Sequence, residues 1–194
     1  MKKVLLPMSL LIFILVGCNS QGAQYGEDLQ TVADEMLDNA TKTEAILDQY
    51  AAVWDHSIKS KGAIPVAEMT ALTGFAQDDV EEYFVINAAG NILDDFSTNI
   101  HSMNAYYEGT GELEEIRNAS DEIKNKMAEL NDPPAEYEKV YDEILNMYNY
   151  TEAYMEMALN PTGTLQSFNE TKNQLASDII SVYKQIEVIM PSEK

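Results

Sequence analysis

Residues 27–60, EDLQTVADEMLDNATKTEAILDQYAAVWDHSIKS, decide the fold. Leu29, Val32, Met36, Ala40, Thr43, Leu47, Tyr50, Trp54 and Ile58 recur in steps of three and four, which lines them along one face of an α-helix. Gly62 and Pro65 end that helix. The same period continues through nearly all of the chain that follows. Pro65 to Thr73 reads as a short helix closed by Gly74, with proline in its first turn. Asp78 and Glu81 are spaced as a capping box for a long helix from Asp79 to about Glu108. Its stripe is Val80, Phe84, Ala88, Ile92, Phe96, Ile100, Met103 and Tyr107, with Gly90 as a kink.

Gly109-Thr110-Gly111 is a turn, and Glu112 to Leu130 carries Leu113, Ile116, Ile123, Met127 and Leu130 on one face. Asn131-Asp132-Pro133-Pro134 stops that helix, because proline suits only a first turn. The next runs from Ala135 to Leu159. The last, Leu165 to Ile189, has a seam of Leu165, Phe168, Leu175, Ile179, Val182, Ile186 and Ile189 broken only by Lys172. No alternating strand pattern competes. Long helices joined by brief loops predict an all-α, antiparallel up-and-down bundle of about four long helices plus one or two shorter ones.

Composition fits one such domain. The chain has 194 residues, 45% of them apolar, and only nine glycines and six prolines, so a packed core is possible and a loop-rich fold is not. Twelve basic against 33 acidic side chains give −21. That balance excludes nucleic acid as a partner, because phosphate backbones are held by clustered Lys and Arg. A single cysteine allows no disulfide within the chain and no multi-cysteine metal cluster.

The N-terminus is written differently. Lys2 and Lys3 precede an apolar run from Val4 to Val16, broken only by Pro7 and Ser9. Thirteen residues are too few for a permanent helix across roughly 30 Å of hydrocarbon, but they suit the apolar centre of a secretory signal. Leu15-Val16-Gly17-Cys18 then resembles the lipobox of bacterial lipoproteins. The resemblance implies cleavage between Gly17 and Cys18, a diacylglyceryl group on the Cys18 thiol and an N-acyl chain on the same residue; no other cofactor is expected. It also implies a lipid-anchored protein on the extracytoplasmic face of a cell membrane. The expected organisation is a signal peptide at 1–17, a lipidated and flexible tether at 18–26, and a bundle at 27–194. Loss of Lys2 and Lys3 leaves ten basic against 33 acidic residues, a net −23 on 177 residues. Eight flexible residues, Asn19 to Gly26, would reach about 16 Å from the bilayer.

No catalytic constellation stands out. The sequence has no phosphate-binding glycine loop and no Gly-x-Ser-x-Gly elbow. Neither His56 nor His101 has a carboxylate three residues before it, so the Glu-x-x-His pairs of di-iron bundles are missing. Both read as boundary histidines beside an apolar face. Asp94-Asp95, Glu114-Glu115, Asp78-Asp79 and Asp34-Glu35 read as solvated faces, since adjacent acids on a helix diverge by about 100°. No metal ligands are assigned. Val66 to Phe84 has the outline of a helix-turn-helix around Gly74, but Asp78, Asp79, Glu81 and Glu82 would lie where phosphates must. It is a structural corner.

Tyr137 to Met157 is the least ordinary segment, with five tyrosines and three methionines on more than one face, which reads first as a central helix packed on two sides and, more sharply, as a contact surface. A core stripe through Tyr137, Tyr141, Ile144, Tyr148 and Met155 would leave Tyr150, Tyr154 and Met157 as a contact surface for an envelope or membrane protein, since Tyr and Met are enriched in recognition interfaces. The expected function is a non-enzymatic binding or accessory module. The alternative is a solute- or cation-binding lipoprotein that feeds a transporter. Cys18→Ser is expected to abolish labelling by a fatty-acid analogue and to leave an uncleaved precursor or a released protein. Unchanged labelling would remove the anchor.

Overall fold

A computed structural model describes residues 17–60 and 62–191. Helices make up 79% of it, with one two-stranded sheet. The all-α bundle expected from the periodicity is present. In chain order the elements are α1 (Gly17–Lys59), β1 (Ile64–Pro65), α2 (Val66–Thr73), α3 (Gln77–Tyr83), β2 (Asn91–Ile92), α4 (Phe96–Thr110), α5 (Glu112–Glu129), α6 (Glu138–Leu159) and α7 (Leu165–Ile189).

α1 is the longest, at 43 residues, or about 64 Å at 1.5 Å per residue. It packs on α4, α5, α6 and α7. Its stripe is buried from Leu29 to Trp54, as the spacing requires, but Ile58 beyond it is 54% exposed. Side-chain contacts fix the direction of each neighbour. Asn99 Nδ2 donates to Ser57 Oγ (2.9 Å), Tyr107 Oη donates to Gln49 Oε1 (2.7 Å), Asn39 Nδ2 donates to the Ile116 carbonyl (3.1 Å), and Lys126 pairs with Glu35. Numbers on α1 fall as those on α4 and then α5 rise. Both helices therefore run antiparallel to α1, one beyond the other, as a single bent column.

The turn expected at Gly109 to Gly111 is thus a bend and not a reversal. Gly111 closes α4 with φ +86° and at once opens α5, a conformation that a Cβ would strain. Arg117 on α5 reaches back across the bend to Glu108. α6 runs parallel to α1, with Tyr137 beside Tyr25 (ring centroids 5.5 Å) and Tyr154 within the field of Glu44 and Asp48. α7 returns antiparallel, marked by Lys172 to Asp48 and by Tyr183 Oη donating to Asp34 Oδ1 at 2.8 Å. Four columns go up, down, up and down. Lys172, which interrupts the expected seam of α7, keeps its side chain only 13% exposed and carries its ammonium to α1, burying the methylene stem while the charge stays paired.

Two expectations need correction. The helix from Asp79 to Glu108 is broken. α3 ends at Tyr83, and the chain then folds into a hairpin before α4. Asn87 makes the turn, its side-chain oxygen accepting from the Ala89 and Asn91 N–H groups at 2.9 and 3.2 Å. Ile92 pairs antiparallel with Ile64 and Ile86. Asp95 then caps α4 by accepting from the Thr98 N–H at 2.7 Å, which holds its carboxyl below the usual range. α3 itself starts from Ala76 without a side-chain cap, so Asp78 and Glu81 form no capping box.

The tether is the second correction. Residues 18–26 are helical, continuous with the rest of α1. Gly22 and Gly26 lie one turn apart on the side that receives the start of α6. A Cβ on Gly26 would meet Tyr137 Oη at 2.7 Å, Cε1 at 2.9 Å and Cζ at 3.0 Å. These glycines supply close approach rather than flexibility. Residues 1–16 of the expected signal lie outside the described residues. Gly26→Ala should improve helix propensity by about 1 kcal/mol, but it displaces the buried Tyr137 ring, at about 1–3 kcal/mol for overpacking. Chemical denaturation is expected to show a net loss for Gly26→Ala in the wild-type chain and a gain in a Tyr137→Ala background. A gain in both would remove the packing role.

Candidate functional site

The bend at Gly111 opens a cleft. Where α4 and α5 change direction along α1, the corner between α2 and α3 closes the third side and encloses a cavity of about 530 Å³. That corner is the helix–Gly74–helix unit expected from the sequence. The Gly74 N–H donates to the Thr70 carbonyl at 2.9 Å, and the Phe75 N–H donates to Thr73 Oγ1 at 3.2 Å. Both bonds aim Phe75 inward.

Phe75 stacks on Tyr106 with ring centroids 3.6 Å apart and meets Tyr107 edge-on at 5.7 Å. Tyr83 meets Tyr106 edge-on from α3, and Tyr50 meets Tyr107 edge-on from α1. Five rings from four elements thus meet at the cleft. Such offset and edge-to-face pairs add about 0.5–1.5 kcal/mol each beyond simple burial. Burial pushes the Tyr107 and Tyr106 phenols up. The Glu112 carboxylate raises both further, and Asp79 adds to the shift at Tyr106. Lys42 pairs with Glu115 at the mouth, their side chains 55% and 60% exposed. A shallower hollow continues along α5 past Glu114, Asn118 and Glu122.

A second feature stands at the end of α1 farthest from Cys18. Ile58, Val85, Leu93 and Phe96 are 54%, 47%, 36% and 42% exposed, four of the seven large apolar side chains exposed among the described residues. They are held together. Phe96 stacks on Trp54 (5.7 Å, 10°), the Leu93 N–H donates to the Val85 carbonyl at 3.3 Å, and Asn99 Nδ2 bridges Ser57 and the Leu93 carbonyl. Exposed apolar side chains gathered in one place mark interaction surfaces more often than chance.

The contact surface expected on α6 is not formed as the sequence suggested. Tyr154 is 1% exposed and belongs to the core, while Tyr150 and Met157 are half-buried against it. α6 is covered by both α1 and α7, so its buried face runs through Val140, Ile144, Met147, Thr151, Tyr154 and Ala158. That face is turned from the expected stripe, and Tyr141 and Tyr148 flank it. Gly17 and Cys18 open α1, at the end opposite the apolar tip and away from the cleft. His56 Nε2 lies 3.2 Å from Glu68 Oε1 but makes no aligned hydrogen bond, and His101 is exposed. Among the described residues, no three His, Cys, Asp or Glu side chains converge on one point.

No protein-family model, curated protein or solved structure matches this chain. Sequence reasoning missed both the cleft and the tip. Phe75 was its one available signal, an aromatic directly after a helix-ending glycine.

Tyr154 gives the sharpest check on α6. Its hydroxyl is buried without a hydrogen-bond partner, and burial pushes its pKa up, with Glu44 and Asp48 adding to the shift. Tyr154→Phe removes an unsatisfied group, so stability is expected to hold or rise by about 1 kcal/mol. Tyr154→Ala opens a cavity and should cost about 3 kcal/mol or more. Melting curves in which the two variants lose equally would place this side chain at the surface after all.

Proposed function

We propose that this chain is a lipid-anchored, extracytoplasmic lipoprotein that works by binding an envelope protein and performs no catalysis. The observation that carries the reading is the apolar tip at the far end of α1. Forty residues of continuous helix separate Cys18 from Ile58, about 60 Å at 1.5 Å per residue. An anchor at one end and a sticky surface at the other suit a protein that reaches a partner away from its own membrane surface.

Charge supports the same arrangement. A net −23 on the processed chain is repelled by an anionic leaflet within a Debye length of roughly 8 Å. The bundle is therefore kept from lying flat on lipid. With residues 18–26 helical, the domain stands off as a rod and does not swing on a string.

A second reading, a ligand-binding lipoprotein that serves a transporter, is favoured by the cleft. Its volume of about 530 Å³ falls within the roughly 300–1,000 Å³ of small-molecule sites. The two readings are compatible, since tip and cleft use different residues.

A photo-crosslinking amino acid placed at Leu93 or at Leu145 tests the first. Leu145 is equally exposed, at 38%, but lies on α6 along the side of the rod. In membranes carrying the full chain, a discrete adduct is expected from Leu93 and not from Leu145. Leu93→Ser with Phe96→Ser should weaken capture at least tenfold with little change in helix content. A lipidated, folded protein that yields no adduct from Leu93 would falsify the tip assignment.

A further inference from the structure

We propose that the cleft at the Gly111 bend binds an organic cation, with its ammonium group against Glu112 and its apolar body against Ile46, Phe75 and Tyr106. This rests on the ligand-binding reading and gives it a ligand class. Four kinds of side chain line the cavity: apolar groups from α1 and α5, aromatic rings from α4 and the α2–α3 corner, the uncharged polar Gln49 and Thr73, and the charged Lys42, Glu112 and Glu115. Lys42 and Glu115 pair with each other. Among the described residues Glu112 has no such partner. Among the described residues its one hydrogen bond comes from Thr110 Oγ1, and at 3.4 Å it is weak.

The cleft therefore presents an exposed carboxylate in the first turn of α5, without an ion-pair partner among the described residues, beside aromatic rings. Asp79 approaches the same aromatic group, and Glu114 and Glu122 extend the acidic rim along α5. Among the described residues, Lys42 is the sole basic side chain lining the cavity or the hollow next to it. An anionic ligand would meet this field unpaired. A neutral one would cover Glu112 without replacing its water, which is costly for a carboxylate. An ammonium group on an apolar body satisfies both halves of the site, because ring faces and carboxylates each attract cations.

The protein also shows the preference with its own chain. The ammonium of Lys42 already sits on Glu115 at the mouth. This ion pair is more than half exposed, so it is weak and can swing aside as a ligand enters. The rings are fixed by their mutual packing, which leaves the apolar wall formed before binding.

Calorimetric titration of the full, processed chain in non-ionic detergent tests the inference. The probes are 2-phenylethylammonium, its neutral counterpart 2-phenylethanol, and the anion phenylacetate. The ammonium is expected to bind at least tenfold more tightly than either of the others. Glu112→Gln should weaken it at least tenfold at an unchanged melting temperature, and Ala45→Trp, which fills the cleft from an exposed position on α1, should abolish it. Equal binding of ammonium and alcohol, or full affinity in Glu112→Gln, would overturn the cation assignment; loss in Ala45→Trp would then still support a ligand cleft. Binding that survives Ala45→Trp would overturn both. No binding of the ammonium to the wild-type chain overturns the inference outright.

Discussion

Because α1 touches all three other columns of the bundle, one buried stripe on one helix carries the architecture. Leu29, Val32, Met36, Leu47 and Tyr50 are fully buried, on a helix that packs against α4, α5, α6 and α7. Isolated helices gain little from propensity alone, and tertiary burial of an apolar face supplies the rest. Here that burial is concentrated on one axis. The two ends of the stripe differ. At the start, Gly22 and Gly26 let the Tyr137 ring lie directly on the helix backbone. At the finish, Ile58 is left exposed although α4 still packs on α1 through Asn99 and Ser57.

The bend at Gly111 follows from the same axis. The return column along α1 is built from α4 and α5 joined at a left-handed glycine, instead of from one straight helix. A straight column would close on α1 along its whole length. The bent one leaves room for the α2–α3 corner to bring Phe75 in from the side. The five-ring aromatic group and the cleft beneath it are products of how the bundle closes. Five Lys or Arg ion pairs are found among the described residues, all with at least one partner more than a third exposed. Pairs of this kind contribute about 1 kcal/mol or less. With −21 distributed over the chain, electrostatics works against compaction, and the apolar axis must overcome it.

Much of this was legible in the sequence. Helical period placed the buried faces of α1, α5 and α7, and the proline and glycine positions placed most of their ends. The failures have definite causes. The stripe through Val80, Phe84, Ile92 and Ile100 keeps helical spacing across a segment that is not helical, because Ile92 is buried from a strand and Ala88 and Phe96 are not buried. The turn at Asn87 depends on a side chain bonding its own backbone, which periodicity cannot see. On α6 the reading of a central helix packed on two sides agrees with its cover by α1 and α7, but the stripe chosen for its core was turned, and Tyr154, placed outside that stripe, lies in the buried face. Gly22 and Gly26 read as flexibility because the ring that fills them is over a hundred residues away. The cleft needed four elements to meet, and no local pattern encodes that.

The central claim is that α1 is one rigid helix from Gly17 to Lys59. Spin labels at Glu27 and Lys59, both exposed, in a chain lacking Cys18 measure it directly by electron–electron dipolar spectroscopy. Thirty-two residues of helix separate the two sites, so a narrow distribution centred near 48 Å is expected from a rise of 1.5 Å per residue. A broad distribution, or one centred well below that distance, would contradict a continuous α1.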